Sequence, residues 1–532
     1  MTATTTATPY RSAQPVARDG FLRQLHGEWT KFRTVRGWVA GMLTACLVTV
    51  AVGLLGAAGN SISCAGPHGS SCHHTALTGP GGEEVRDGMT LVHRPLTGDG
   101  SITVRVTSLA GLYPPDGRVP ADGDPTAGMV PGVQPWAKAG VIVKDGTKQG
   151  SAYAAVALTG SHGVRMQYDY THDAAGTPGA VSASSPRWLR LTRAGDTLTG
   201  YDSADGTHWH TIGTAHLAGL PATVQAGLFS SSPEYLVTSK SLSGSSSNGG
   251  PSRATAVFDS VDLRGAAGAR WTSDVIGGGG PADPGAAGLG YRQQGGTYTV
   301  TGSGDIAPVV PGRGSPAKTV ESSLIGAFAG LVVVTVVATM FVTAEYRRGL
   351  IRTTLTASPR RGRVLAAKAV VIGAVSFATG LVAAAIAVPL VAAVEKGKGF
   401  PMHRTPFATD VRVVLGTAAL FAVTAVLALA LGTVLRRSAG AVTAVVVAIV
   451  LPYILAVAAV LPAGPSRWLT RLTPAAAFAV QQSVHQYAQV AAGYTPADGY
   501  FPLSPWAGLA VLCGYAAAVV AAAAVLLRRR DA

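Results

Sequence analysis

Leu324-Ile-Gly-Ala-Phe-Ala-Gly-Leu-Val-Val-Val-Thr-Val-Val-Ala-Thr-Met-Phe-Val-Thr-Ala344 contains no charged side chain. As a helix, about 20 apolar residues reach across the hydrocarbon core of a bilayer. Five other uncharged stretches meet the same length: Val39 to Ala58, Ala369 to Val394, Val413 to Leu435, Ala439 to Leu461 and Trp506 to Leu527. One such run can be a core helix of a soluble protein, but six of this length cannot. The first begins too far from the start for a signal peptide and shows no small-residue cleavage site, so it reads as an uncleaved span. Composition agrees: over 532 residues, hydrophobic side chains make up 48% and charged ones 13%, about half the soluble-protein share. Mean hydropathy is +0.31. These figures argue against one large soluble enzyme or a disordered polymer, and four cysteines are too few for a disulfide-built scaffold.

Basic residues flank the apolar runs on one side. Lys31, Arg33 and Arg36 precede the first; Arg347, Arg348, Arg352, Arg360, Arg361, Arg363 and Lys368 separate the second from the third; Arg436 and Arg437 join the fourth to the fifth; Arg528, Arg529 and Arg530 follow the sixth. The opposite loops carry fewer, among them Lys396, Lys398 and Arg404 in one and Arg467 and Arg471 in the other. The positive-inside rule therefore predicts a multi-pass protein of the cell (plasma) membrane with both termini cytoplasmic. Anionic lipid headgroups account for the net charge of +15, and no nucleic-acid partner is implied.

Residues 59–320 then lie outside the cytoplasm. Ile102, Val104 and Val106, then Val164, Met166, Tyr168 and Tyr170, then Leu189 and Leu191 alternate with other residues at the period of a strand. Turn chemistry punctuates them at Arg193-Ala-Gly-Asp196 and Ser203-Ala-Asp-Gly206. Many short strands so spaced predict a sandwich or jelly roll. The Gly/Ser/Pro-rich stretches Ser241 to Ser252 and Gly277 to Gly288 read as surface loops or linkers. Cys64 and Cys72 sit in a compartment that permits a disulfide; with His68, His73 and His74 beside them, a metal site is the rival reading, though no known ligand spacing is present. Cys46 and Cys513, inside spans, read as small packers.

Trp136-Ala-Lys-Ala-Gly140-Val-Ile-Val, Trp188-Leu-Arg-Leu-Thr-Arg193-Ala-Gly195, Tyr201-Asp-Ser-Ala-Asp-Gly206-Thr-His-Trp209, Ala226-Gly-Leu-Phe229 and Ala256-Val-Phe-Asp259 follow in order. Together they resemble the core strands of concanavalin-like (laminin-G-like) sandwiches, over about 87–263. Gly296-Thr-Tyr-Thr-Val-Thr-Gly-Ser-Gly-Asp305 resembles a further strand of that fold, displaced late in the chain, which leaves its pairing open. Relatives of the fold include glycan binders and glycosidases. Glycosidases need two facing carboxylates, and the acidic triplet of the related glucanases is not visible; Asp202 and Asp205 read as turn residues. Trp136, Trp188 and Trp209 are candidate sugar platforms, with core packing the preferred reading.

On the cytoplasmic side, Phe21, Leu22, Leu25, Trp29 and Phe32 fall at helical spacing beside Arg23, Lys31, Arg33 and Arg36, which predicts an amphipathic interfacial helix over 21–36. After the second span comes Glu345-Tyr-Arg-Arg-Gly349-Leu-Ile-Arg-Thr-Thr-Leu-Thr-Ala-Ser-Pro359-Arg-Arg-Gly-Arg-Val-Leu-Ala-Ala-Lys368. The proline stops a helix there. This string, with the leader Glu28-Trp-Thr-Lys-Phe-Arg-Thr-Val-Arg36, resembles type-2 (ABC-2) ABC exporter permeases of actinobacterial type, over residues 21–58 and 322–530. The resemblance implies a connecting helix carrying Glu28, Trp29 and Lys31. It implies an ATPase-coupling segment carrying Glu345, Arg347, Gly349, Pro359, Arg361 and Lys368, and a homodimer or heterodimer of permeases. Glu345 beside Arg348 also admits a plain surface pair. No Gly-x-x-x-x-Gly-Lys-Ser/Thr loop occurs in the chain, so ATP hydrolysis by that chemistry belongs to a separate ATPase subunit.

The expectation is thus an α-helical polytopic membrane protein of six transmembrane helices plus an all-β extracytoplasmic sandwich, jelly-roll-like. Residues 1–20 form a disordered tail, 21–36 the interfacial helix, 37–58 the first span and 59–320 the outer domain with its linkers. Residues 321–532 hold five further spans (324–344, 369–394, 413–435, 439–461, 506–527). Close packing is expected at Gly326-Ala-Phe-Ala-Gly330, bends at Pro389 and Pro452, and an outer interfacial helix from Thr473-Pro474 with Val480, Val484, Tyr487 and Ala488 on one face. The expected function is the permease subunit of an ATP-driven exporter, with no catalytic, cofactor or metal residues of its own. A glycan or cell-wall ligand of the outer domain is a further expectation. The alternatives are a membrane-anchored glycan-binding sensor without transport and a tethered surface hydrolase.

Overall fold

The computed structural model describes residues 20–60, 77–117, 126–241, 244–266, 268, 270–277, 288–311, 317–350, 360–458, 461–490, 494–496 and 499–529. Cys64, Cys72, the neighbouring His68, His73 and His74, and Pro359 lie outside the described residues. Six helices are long and apolar enough to cross a membrane: Arg36–Gly59, Glu321–Arg347, Arg361–Gly397, Phe407–Leu435, Ser438–Val457 and Pro505–Arg529. Each matches one apolar run of the sequence. They are called the first to sixth spans below.

Contacts at the helix ends fix the arrangement. Arg361 Nη1 donates to the Leu527 carbonyl at 2.6 Å, joining the start of the third span to the end of the sixth. The Arg436 guanidinium lies 5.2 Å from the Tyr346 ring, joining the fourth span's end to the second's. At the other end Asn60 Nδ2 donates to Glu395 Oε1 at 2.6 Å, and Lys398 donates to the carbonyls of Ala57 and Ala58, in the last turn of the first span. Both ends of the described chain therefore lie at one end of the bundle, and the β domain lies at the other.

Small residues set the closest approaches. A Cβ on Gly326 would stand 2.1 Å from the Thr49 carbonyl oxygen, and one on Gly330 2.1 Å from Thr49 Oγ1. The expected close contact at Gly326 to Gly330 is thus the seam between the first and second spans, where only glycine fits. Pro389 lies inside the continuous third helix. The fifth span widens instead into a π segment at Val446–Val450 just ahead of Pro452, which absorbs the bond its missing N–H cannot make.

Two antiparallel sheets form the domain between the first and second spans. One runs edge to edge as His210–His216, Thr197–Ser203, Arg187–Ala194, Gly100–Tyr113, Arg253–Arg264, Thr297–Gly302 and Gly290–Gln294; Val130–Pro131 joins it beside Gly100–Tyr113. The other runs as Thr272–Ile276, Met89–Thr97, Thr223–Ser231, Lys138–Lys144, Tyr153–Thr159, Val164–Tyr168 and His172–Ala175. Ile102, Val104, Val106, Leu189 and Leu191 of the first sheet meet Val141, Val143, Val156, Val164 and Met166 of the second in one core, as the alternation predicts. The strand left unplaced by its late position, Thr297–Gly302, pairs with Arg253–Arg264 and Gly290–Gln294.

Two expectations are corrected. Gly244–Gly250, inside the stretch read as loop or linker, pairs with Tyr235–Ser241 as a hairpin; strand pairing is a backbone interaction, and a Gly/Ser composition does not forbid it. The outer interfacial helix from Thr473 is a 3₁₀ helix, Pro474–Gln481, with every residue buried. Its alanines let the sixth span close in, so a Cβ on Gly508 would meet the Ala476 carbonyl oxygen at 2.2 Å. The amphipathic helix of this loop is Ala463–Leu472 instead, with Trp468 and Leu472 exposed.

The outer face of the second sheet is covered by the segments entering and leaving the domain. Val85–Asp87 pairs with Ile306–Pro308. Two buried lysines at the ends of Lys138–Lys144 hold them: Lys144 Nζ donates to Asp87 Oδ2 at 2.8 Å and Lys138 Nζ to Asp305 Oδ1 at 3.1 Å. Burial pulls the Lys144 pKa below the usual lysine value even with Asp87 beside it. The domain rests on the bundle through Gln489 Nε2, which donates to the carbonyls of Tyr170 and Thr171, and through His403 and Glu84 at 3.6 Å.

Residues 77–311 expressed alone are expected to fold with a circular dichroism spectrum dominated by β structure; a mainly helical spectrum would contradict the two-sheet architecture. In that fragment Lys144→Met strands a buried carboxylate, and the loss of stability on urea unfolding should be about 3–5 kcal/mol.

Candidate functional site: a buried charge cluster at the terminal end

The leading helix, Phe21–Thr34, starts at Gly20 and ends where Val35 turns extended (φ −86°, ψ 96°). It stops two residues short of the interfacial helix expected over 21–36. Its apolar stripe docks on the bundle: Phe32 is buried, its ring 6.3 Å from Trp38 and 6.0 Å from Phe341. Trp29, one turn earlier on the helix, stacks on Phe32 and stays 44% exposed, as an interfacial aromatic would.

The same docking buries charge. Glu28 is 4% exposed, Glu345 7% and Lys368 2%. Lys368 Nζ donates to Glu28 Oε2 at 2.7 Å and to Glu345 Oε1 at 2.6 Å. Lys31 Nζ donates to Glu28 Oε1 at 2.8 Å and to Glu345 Oε1 at 3.2 Å. Two carboxylates and two ammonium groups thus close a neutral ring over the Phe341 face, 5.0 Å from Lys368 Nζ. Burial opposes the Lys31 ammonium, yet the Glu28 and Glu345 carboxylates outweigh it and hold its pKa above the usual lysine value. Glu345 sits in the last turn of its helix, where the helix dipole disfavours an anion. Pairing is therefore what makes the position tenable.

Four expected site residues, Glu28 and Lys31 of the leader and Glu345 and Lys368 of the loop, come together here. The plain surface pair of Glu345 with Arg348 is not found: Glu345 is buried and faces Lys31 and Lys368. Arg347 closes the second span's helix with its side chain exposed, and Gly349 takes a left-handed φ of +67° just beyond it. Arg361 opens the third span and binds the end of the sixth.

The β domain shows no rival site among the expected residues. Trp136 is buried and stacks on His162 at 3.9 Å, Trp209 lies under the Arg190 guanidinium at 3.8 Å, and Trp188 backs the turn at Gly206. Trp136 is thus buried, whereas Trp188 and Trp209 are part-buried and each packs against a neighbour of its own domain. Asp205 accepts from the backbone N–H groups of Thr207 and His208, and buried Asp202 accepts from that of Thr177 and from His210. Asp205 is turn chemistry as read from the sequence.

Lys368→Met should lower the stability of the purified protein by about 3–5 kcal/mol, because it leaves two buried carboxylates to one ammonium. Adding Glu345→Gln restores charge balance as a Glu28–Lys31 pair and should recover most of the loss. Unfolding in mixed micelles reads both, and a double variant as unstable as the single one would sink the pairing argument.

No curated protein matches the chain. Solved structures give only faint likenesses. A functionally unknown protein from Saccharomyces cerevisiae is 14% identical over 33% of this chain and 74% of its own, with a TM-score of 0.21. A mutant GH43 protein, BlXynB from Bacillus licheniformis, is 16% identical over 25% of this chain and 24% of its own, with a TM-score of 0.16. Scytalido-glutamic peptidase with a peptide-based transition-state analog is 8% identical over 42% of this chain and 100% of its own, with a TM-score of 0.22. At such scores none bears on this chain's fold or function. The family model for ABC-2 family transporter proteins, in contrast, matches residues 151–532, from the second β sheet through the last five spans. With that match and six membrane-length helices, the chain belongs to the ABC-2 transporter family, whose members are multi-pass permease components that associate with an ABC ATPase subunit.

Proposed function

We propose that this chain is an export permease whose terminal end faces the cytoplasm and receives the stroke of a separate ABC ATPase. The observation that carries the reading is the ring of Glu28, Lys31, Glu345 and Lys368. It joins the leading helix to the ends of two spans, and those two spans are the ones that flank the basic connection 348–360. A partner pushing on that connection, or on the exposed Arg347 beside it, moves the second and third spans and the leading helix as one body. Long-range charge bonds of this kind transmit displacement because they are short, directional and costly to leave half-made.

The orientation rests on the basic flanks, with Arg347, Arg361, Arg436 and Arg528 all at the terminal end. The β domain, at the other end, is then extracytoplasmic, a concanavalin-like insert beside the exit of the path. Two permeases, identical or different, would complete the unit. For a glycan-binding role of the outer domain, Trp136 is buried, and Trp188 and Trp209 are part-buried against neighbours of the domain.

The test is charge reversal at Arg347 and Arg361, with the chain co-expressed with the ATPase it co-purifies with. Membrane insertion should be unchanged, while recovered ATPase falls about tenfold or more, as for loss of charge-assisted contacts. Lys368→Met should retain the ATPase but lose permease-dependent ATP hydrolysis in proteoliposomes. Full association of the doubly reversed variant would overturn the coupling assignment. A cysteine placed after Gly349 and labelled by an impermeant reagent from outside intact cells would overturn the orientation.

A further inference from the structure

The β domain meets the helix bundle across a cavity of about 600 Å³. Its walls come from the segments that enter and leave the domain, the loop ahead of the fourth span and the loop ahead of the sixth. Glu84 and His403 face each other there, with Glu84 Oε2 3.6 Å from His403 Nδ1. Glu84 is 5% exposed, and its carboxylate accepts no hydrogen bond among the described residues. His403 Nδ1 is buried and likewise has no hydrogen-bond partner among the described residues. A separation of 3.6 Å is too long for a hydrogen bond but within the range of an ion pair. With a neutral imidazole, a nearly buried carboxylate is left without a donor, which is costly. With an imidazolium, both ring nitrogens are donors, and the same two groups answer each other.

The other charged groups at this face leave that role to His403. The Glu83 carboxylate folds back over its own turn, into the space that a Cβ on Gly79 or Gly81 would need. Arg412, on the fourth span, gives Nη2 to the Gln482 carbonyl at 2.6 Å and shares its charge with Glu321. Its buried Nη1 meets no acceptor among the described residues, Glu84 included. Arg404, next in the chain, is exposed to solvent. Lys318, whose carbonyl accepts from the His403 N–H at 2.8 Å, turns its ammonium to the Phe400 ring at 4.7 Å. On the loop ahead of the sixth span, His485 is exposed, its ring 5.0 Å from that of Tyr487. Burial and the Glu83 charge hold the Tyr487 pKa above the usual tyrosine value, so that phenol stays neutral. Arg404 and Arg412 oppose an imidazolium as like charges. One is screened by water and the other is shared with Glu321, so both act on it less than the carboxylate 3.6 Å away.

We propose that His403 and Glu84 form a proton-operated latch between the β domain and the helix bundle. Protonation of the imidazole closes it, and deprotonation releases it. The ring is within reach of water, its side chain being 17% exposed. The sign follows from linkage. The imidazolium meets its carboxylate only while the domain is seated, so protons favour the seated form. Imidazole is the side chain whose ordinary titration falls between about pH 5 and pH 8, and the latch loosens as pH rises through that range. Gln489 still donates to the Tyr170 and Thr171 carbonyls when the imidazole is neutral, so release loosens the domain without detaching it. Exposure of the latch to the outer medium rests on the orientation proposed above; its response to protons does not.

The experiment measures amide hydrogen exchange in the purified full-length chain in neutral detergent, at about pH 5.5 and about pH 8, with the intrinsic pH dependence of exchange divided out. Segments 82–88 and 400–406 should be about tenfold better protected at the lower pH, as for gain of a hydrogen bond to a charged group. His403→Gln and Glu84→Gln should each bring that ratio to about one, the value for no coupled proton. His403→Lys keeps its charge at both pH values and should be well protected at both. His485→Gln should keep the full response. Equal protection of the unaltered chain at the two pH values overturns the latch. So does an undiminished response in His403→Gln, or a response lost in His485→Gln. Where a glutamine variant folds poorly, His403→Lys decides: a pH response that survives in it overturns the assignment. None of these readouts involves the ATPase, so failure of the latch and failure of the coupling reading are distinguishable.

Discussion

Charge withdrawn from water beside a bilayer must be balanced on the spot, and that constraint organises the terminal end of this protein. Glu28 and Lys31 come from a leading helix more than 300 residues away in the chain from the two consecutive spans that supply Glu345 and Lys368. None of the three buried members would be tolerable alone at a few per cent exposure. Together they form a neutral ring with bonds of 2.6–3.2 Å. The aromatic contact of Phe32, Trp38 and Phe341 excludes water beneath it, which strengthens each pairing. The leading helix is therefore part of the bundle rather than a float on its surface.

The same device recurs in the β domain for a different purpose. Lys138 and Lys144 project from one strand to the same face, six residues apart, and each takes a carboxylate from a segment where the chain enters or leaves the domain. The domain is thereby tied at both roots to its own central sheet. Gln489 and the His403–Glu84 contact then seat it on the helix ends. A domain held at its roots and its base moves with the spans that carry it, which gives the export reading a mechanical route from the terminal end of the bundle to the domain end.

At the domain end of the bundle the hydrogen bonding of buried carboxylates is less complete. Glu395 and Glu321 each keep one oxygen without a donor among the described residues, whereas the terminal ring leaves only Glu345 Oε2 in that state.

Much of this was legible in the chain. Hydropathy runs found all six spans, because the bilayer demands a length of uncharged helix that local sequence must supply. Alternation found the sandwich, because a strand shows its two faces in adjacent residues. Glu28, Lys31, Glu345 and Lys368 could be singled out through a family resemblance, but nothing local says that they meet. The failures share that cause. Pro474–Gln481 looked amphipathic and proved buried, because Gly416 and Gly508 across the fold make room for it. Ser241 to Ser252 looked like linker and contains a paired strand, because backbone pairing leaves no trace in Gly and Ser side chains. The sequence by itself determined which segments cross the membrane and which form sheets, since solvent transfer and period are properties of neighbouring residues. Which charges share a burial site was decided only by tertiary structure, since ion pairing acts between residues that the chain brings together after folding.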